Sequence, residues 1–336
     1  MGALSRVAVV FTGGTISMVV DPVAGGAVPA LDGAAILART PGLDAIADVV
    51  AVDHGLKPAS HWTFADVSAV ARVVEGLLAD DRNDGLVLVQ GTDTIEETSF
   101  ALDLLVDSPK PVVVTGAMRN ASASDYDGPA NLRGAVTAAA SPDLAGMGVL
   151  VVLAGTIEPA DDVTKTHATA VDTFRSLNLG RIGRIDDGAV VVERPRGPRR
   201  EPVGATSLAE PIQIVTATVG MDAAILDAAI GLRPAGIVVA ATGSGNTSPE
   251  LLAAGQRAIA AGIPVVLASR AAAGPAGTGY AFPGGGATWI RAGAMLAGTL
   301  SAPKARIALA VGLGAGFRGD RLARFVAGPP GPDDSG

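Results

Sequence analysis

Short runs of adjacent apolar residues punctuate the chain at Val7–Phe11, Val49–Val52, Gly85–Val89, Val112–Thr115 and Gly148–Leu153. They are rich in β-branched residues and barely alternate with polar ones, which suits strands covered on both faces, as in a parallel sheet. Helical patterns lie between them. One follows Thr63-Phe-Ala-Asp66, with Val67, Val70, Ala71, Val74, Leu77 and Leu78 on a single stripe. Another follows Thr94-Ile-Glu-Glu97 and carries Phe100, Ala101, Leu104 and Leu105. Both starts have the spacing of a capping box. The alternation resumes later, with apolar runs at Ile212–Thr216, Gly236–Ala241 and Val265–Ser269 and helices from Met221 and Pro249. The rhythm predicts an α/β fold: a doubly wound, mainly parallel sheet in a larger N-terminal domain, and a smaller C-terminal α/β domain.

The pattern breaks once, at 194–210, where Arg194, Arg196, Arg199 and Arg200 are spaced by proline and glycine. Such a stretch reads as a solvated surface linker, although four arginines also suit an anion site. The expected division is a domain over 1–193, the linker 194–210, a second domain over 211–328 and a flexible tail over 329–336.

Composition narrows the chemistry. Of 336 residues, 33 are acidic and 25 basic, and the net charge of −8 is spread along the chain, which argues against nucleic acid or an anionic membrane as partner. There is no cysteine, so thiolate nucleophiles, thiolate metal sites and disulfides are excluded. The three histidines, His54, His61 and His167, are scattered, so no metal and no cofactor is expected. No apolar run approaches the roughly 20 residues that span a bilayer. The first residues lack the core and cleavage site of a signal peptide, so a cytoplasmic location is expected. Gly314-Ala-Gly316-Phe-Arg-Gly319 matches a dinucleotide fingerprint in letters only, because too little chain follows to complete its βαβ unit.

Three strand ends are rich in glycine and hydroxyl groups: Thr12-Gly13-Gly14-Thr15-Ile16-Ser17, Gly91-Thr92-Asp93-Thr94 and Thr115-Gly116-Ala117-Met118-Arg119. Ligands bind beyond the carboxyl ends of strands in open parallel sheets. Glycines let a backbone approach a ligand and leave amides free for an oxyanion, and threonines supply hydroxyls. Downstream, Asp162-Val-Thr-Lys165-Thr166 adds an ammonium that burial would turn into a base. Asp127-Gly-Pro129 reads as a helix start capped by Asp127.

Together TGGTIS at 12–17, GTDTIEET at 91–98, TGAMR at 115–119, DGPANL at 127–132 and DVTKT at 162–166 resemble the bacterial L-asparaginase family in order and spacing. DTFRS at 172–176 and Gly243-Ser-Gly-Asn246 extend the resemblance to nearly the whole chain. It implies a two-domain hydrolase of small amides, such as L-asparagine, with Thr15 as nucleophile. Thr92, Asp93 and Lys165 would form the second catalytic group, Lys165 drawing a proton through Thr92. Gly14, Gly91 and Ala117 would lie against the substrate. The resemblance further implies a homodimer or homotetramer whose active sites are shared, Asn246 reaching the partner's site.

Three departures touch the pocket. Ala27 stands where the family's mobile loop commonly has a tyrosine. In Lys57-Pro-Ala-Ser-His-Trp-Thr63, Ala59 falls at the serine that grips a substrate carboxylate, Ser60 at a polar position and His61 at a frequent acid. A one-residue slip would return Ser60 to the carboxylate. The segment 271–286 lacks the acid that some relatives contribute. The alternative readings are therefore a hydrolase of another small amide, lactam or lactone using the same threonine, and a small-molecule-binding homologue without turnover.

Overall fold

The computed structural model describes residues 4–204 and 207–329 and divides into two units, one running to Gly197 and one starting at Pro198. In the first unit the uninterrupted apolar runs become a sheet of eight strands. Its order is Ala189–Val192, Gly183–Asp186, Thr156–Pro159, Val149–Leu153, Val112–Thr115, Gly85–Val89, Arg6–Phe11 and Asp48–Asp53. Neighbours from Val149–Leu153 to Asp48–Asp53 pair in parallel, and those from Val149–Leu153 to Ala189–Val192 pair antiparallel. Val7, Val9, Val87, Val89, Val113 and Val152 lie fully buried in the main core together with Phe11 and Ile16. The antiparallel edge escapes the sequence pattern because its strands are short and partly exposed.

The second unit carries a parallel sheet ordered Ile212–Thr216, Gly236–Ala241, Val265–Ser269 and Met295–Leu296. Its core is closed by Trp289, which is fully buried. The helix expected from Met221 begins at Ala224, and the one at Pro249 begins there, capped by Ser248. The Gly314–Gly319 sequence joins the helix Ala302–Gly314 to the helix Gly319–Ala327, so it follows no strand and is not a nucleotide loop. The expected tail, 329–336, lies outside the described residues apart from Pro329.

The reading of 194–210 as solvated linker charge is corrected at Arg196. Its side chain is 5% exposed and bridges Asp103, 2% exposed, at 2.7 Å and Asp161 at 2.9 Å. It also donates to the Met147 carbonyl. Two carboxylates inside the first unit need a cation, and Arg196 supplies its fork of donors. Arg200 is engaged as well, donating to the Phe325 and Val326 carbonyls at the end of a helix.

The helix Phe64–Leu78 has the predicted capping box, with Thr63 and Asp66 bonded reciprocally. Lys57 donates to Asp66 at 2.7 Å, and this contact, with the Thr63 hydroxyl, holds the Asp66 carboxyl down at about 2. A depressed carboxylate stabilises the fold above its unfolded value of about 3.9 and loses that contribution as pH falls through about 2. Asp66→Asn thus flattens the fall of melting temperature between about pH 4 and pH 2. An unchanged slope over that window would contradict the assignment. The second expected box does not form. Thr94 makes no capping bond; its hydroxyl accepts from Gln90 and donates to the Ala59 carbonyl.

Candidate active site

Arg6–Phe11 is flanked by Asp48–Asp53 on one side and Gly85–Val89 on the other, so the chain reverses its direction of winding there. The loops leaving Phe11 and Val89 lie at this switch point, the place where ligands bind in open α/β sheets. The Thr12 amide and hydroxyl both donate to the Val89 carbonyl, at 3.0 and 2.9 Å, and tie the two strand ends together. Beyond this tie the loops meet through backbone alone. Gly14 has φ 91°, and a Cβ there would stand 2.2 Å from the Gly91 Cα. Only glycine fits both the conformation and the approach.

Thr15 opens a single 3-10 turn, Thr15–Ser17, held by the Ser17 hydroxyl on the Gly14 carbonyl at 2.7 Å. The Thr15 side chain is half-buried, and its hydroxyl has no hydrogen-bond partner among the described residues. Tyr126 holds the turn from below, its hydroxyl donating to the Ile16 carbonyl at 2.7 Å. Burial pushes the Tyr126 phenol up to about 12, so it remains a neutral donor and cannot serve as base.

Thr92 and Asp93 form the turn after Gly91, and Lys165 ends the short strand Val163–Lys165. The Lys165 Nζ donates to the Thr92 Oγ1 at 3.1 Å and the Asp93 Oδ1 at 2.8 Å. Thr92 is buried, the Lys165 side chain is 17% exposed, and the Asp93 carboxylate is 68% exposed. One ammonium therefore bridges a dry hydroxyl and a carboxylate that faces outward, available to a cationic group. Glu96, one turn on, accepts the Lys165 amide at 3.1 Å and the Thr164 hydroxyl. In the sequence Glu96 reads only as an acid at a helix start, since nothing local points to a strand nearly seventy residues away.

The third loop is braced by Asp127, but not as the expected helix cap. Asp127 makes no capping bond; its carboxylate accepts the Met118 and Arg119 amides at 3.0 and 2.8 Å. Asn131, in the following helix, donates to the Gly116 carbonyl and to Asp127 and accepts the Ala154 amide. Ala117 is wholly buried in the core. Ala59 is buried too: a Cβ built on Gly91 would lie 2.8 Å from the Ala59 Cβ, so the 59–61 turn rests on the Gly91 loop. Ser60 and His61 are exposed. Ala27 is exposed in the hairpin of Met18–Asp21 with Gly26–Pro29.

Thr15, Thr92, Asp93, Lys165, Gly14, Gly91 and Ala59 thus come from loops in mutual contact within the first unit. Asn246 belongs to the second, in a tight turn where Thr242 and Asn246 form a bridge, and its Oδ1 is buried without a partner among the described residues. No group of three or more potential metal ligands occurs among the described residues.

Two family models match the chain: the N-terminal asparaginase domain over residues 6–197 and the glutaminase/asparaginase C-terminal domain over 211–325. A probable L-asparaginase from Deinococcus radiodurans is 38% identical across 96% of this chain and 97% of its own. L-asparaginase 2 from Escherichia coli is 36% identical across 69% of this chain and 67% of its own. Among solved structures, the probable cytoplasmic L-asparaginase from Campylobacter jejuni superposes with a TM-score of 0.82 at 28% identity, covering 92% of this chain and 95% of that one. Matched over both units, and nearly end to end by a relative, the chain belongs to the asparaginase family of amide hydrolases.

Proposed function

We propose that this protein hydrolyses L-asparagine to L-aspartate and ammonia, with Thr15 as nucleophile. The observation that carries the reading is the Lys165 ammonium shared between the Thr92 hydroxyl and the Asp93 carboxylate, in the loop packed against that of Thr15. A threonine hydroxyl is a weak nucleophile, so it needs a route for its proton and donors for the oxyanion it creates. The unpartnered Thr15 Oγ attacks the side-chain amide carbon, and amides of the glycine loops meet the developing oxyanion. The C–N bond then breaks, and the proton supplied to nitrogen lets ammonia leave. Water next attacks the Thr15 ester, regenerating the hydroxyl and releasing the acid. Lys165 and Thr92 relay the Thr15 proton to the departing nitrogen, and in the second half of the cycle they relay a proton from the attacking water back to the Thr15 Oγ. Asp93, being exposed, receives the substrate ammonium.

A cytoplasmic location and a homodimer or homotetramer accord with this reading, with Asn246 and its unpaired Oδ1 completing a partner's site. Ammonia release measured across L-asparagine, L-glutamine and simple lactams tests the substrate. Turnover confined to lactams, or to none of them, would overturn it.

Ala59 has no hydroxyl for a substrate carboxylate, and a hydrogen bond to a charged group is worth roughly 1.5–3 kcal/mol. Ala59→Ser therefore lowers KM for L-asparagine by about tenfold and changes kcat by less than about twofold, as restored uniform binding requires. Steady-state kinetics check it, and an unchanged or raised KM would show that position 59 does not serve the carboxylate.

A further inference from the structure

We infer that Glu96 is a positioning residue for Lys165, fixing the backbone from which that side chain springs; the inference rests on the catalytic reading of Lys165 given above. Lys165 ends a strand of only three residues, paired solely with Phe174–Ser176 among the described strands. So short a two-stranded ribbon is marginal without an anchor. Glu96 supplies one. A single carboxylate oxygen, Oε2, receives both the Lys165 amide and the Thr164 hydroxyl. The carboxylate itself sits in the first turn of the helix Ile95–Leu105, where the helix dipole favours negative charge.

The result is a clamp at both ends of one side chain. The turn over 92–96 grips the Lys165 backbone through Glu96 and the Lys165 Nζ through Thr92 and Asp93. With the backbone fixed, the stem of Lys165 starts from one position, from which its nitrogen reaches Thr92 and Asp93. With the backbone released, the Nζ loses its aim. Misplacement of a catalytic group by about 1 Å costs on the order of a hundredfold in rate. Glutamine keeps an acceptor oxygen at the same reach, whereas alanine leaves both donors unmet.

The test uses the full-length protein and ammonia release from L-asparagine. Glu96→Ala should lower kcat about a hundredfold with KM within about threefold, and Glu96→Gln should recover kcat to within about tenfold of wild type. On a Lys165→Met background, Glu96→Ala should change the residual rate by less than about threefold, because the group it positions is gone. Should Glu96→Ala fail to fold, the isosteric Thr164→Val, which removes one of the two contacts, should lower kcat about fivefold at unchanged KM. Wild-type kcat in Glu96→Ala, or in Thr164→Val where that variant stands in, would overturn the inference and leave the catalytic reading intact. So would Glu96→Gln as impaired as Glu96→Ala, or a full further loss on the Lys165→Met background. Wild-type turnover in Lys165→Met would overturn the catalytic reading, and the inference with it.

Discussion

Thr15→Val stops turnover: kcat falls by at least about a thousandfold, because no other group forms the ester intermediate. Valine has the shape of threonine, and the lost hydroxyl has no partner among the described residues, so no buried group is orphaned by its removal. Melting temperature and substrate binding should therefore stay near wild type while ammonia release disappears. That combination separates a lost nucleophile from a damaged fold. A Thr15→Val enzyme retaining a tenth or more of wild-type kcat would exclude Thr15 from the covalent step.

Lys165→Met has the next largest effect, a loss of about a thousandfold, in the middle of the range for a positioned general base. Methionine keeps the apolar stem but donates nothing to Thr92 or Asp93. The exposure of Asp93 makes its ion pair with Lys165 a small contributor to stability. Rate should therefore collapse with little change in melting temperature. Asp93→Asn added to Lys165→Met should cost less than it does alone, since the two residues work as a unit. Fully additive losses would assign them independent roles.

The parallel strands were legible because burial on both faces writes them as unbroken runs; Gly85–Val89, Gly236–Ala241 and Val265–Ser269 match residue for residue. The loops that carry Thr15, Thr92 and Lys165 were legible because glycine and threonine cluster where strands end. What the sequence hid are side chains whose partners lie far along the chain. Arg196 looked like solvated charge until Asp103 and Asp161 surrounded it. Asp127 and Thr94 occupy cap positions, yet their oxygens accept from Met118, Arg119 and Gln90 instead. Local spacing reveals which polar groups a helix start offers, not which other loop reaches them first. Tyr126 was missed for the same reason, its target Ile16 lying over a hundred residues upstream.

The contact between Gly14 and Gly91 limits how this site can be retailored. Its floor is peptide on peptide, with no side chain to enlarge, trim or recharge. A library randomised at those two positions would mostly return broken scaffolds, whatever the substrate sought. Room for change lies on the rim, at Ser60 and His61, and in the hairpin that carries Ala27, where side chains are exposed. Selectivity in this lineage is thus free to drift around a reaction centre whose own dimensions are set by the absence of side chains.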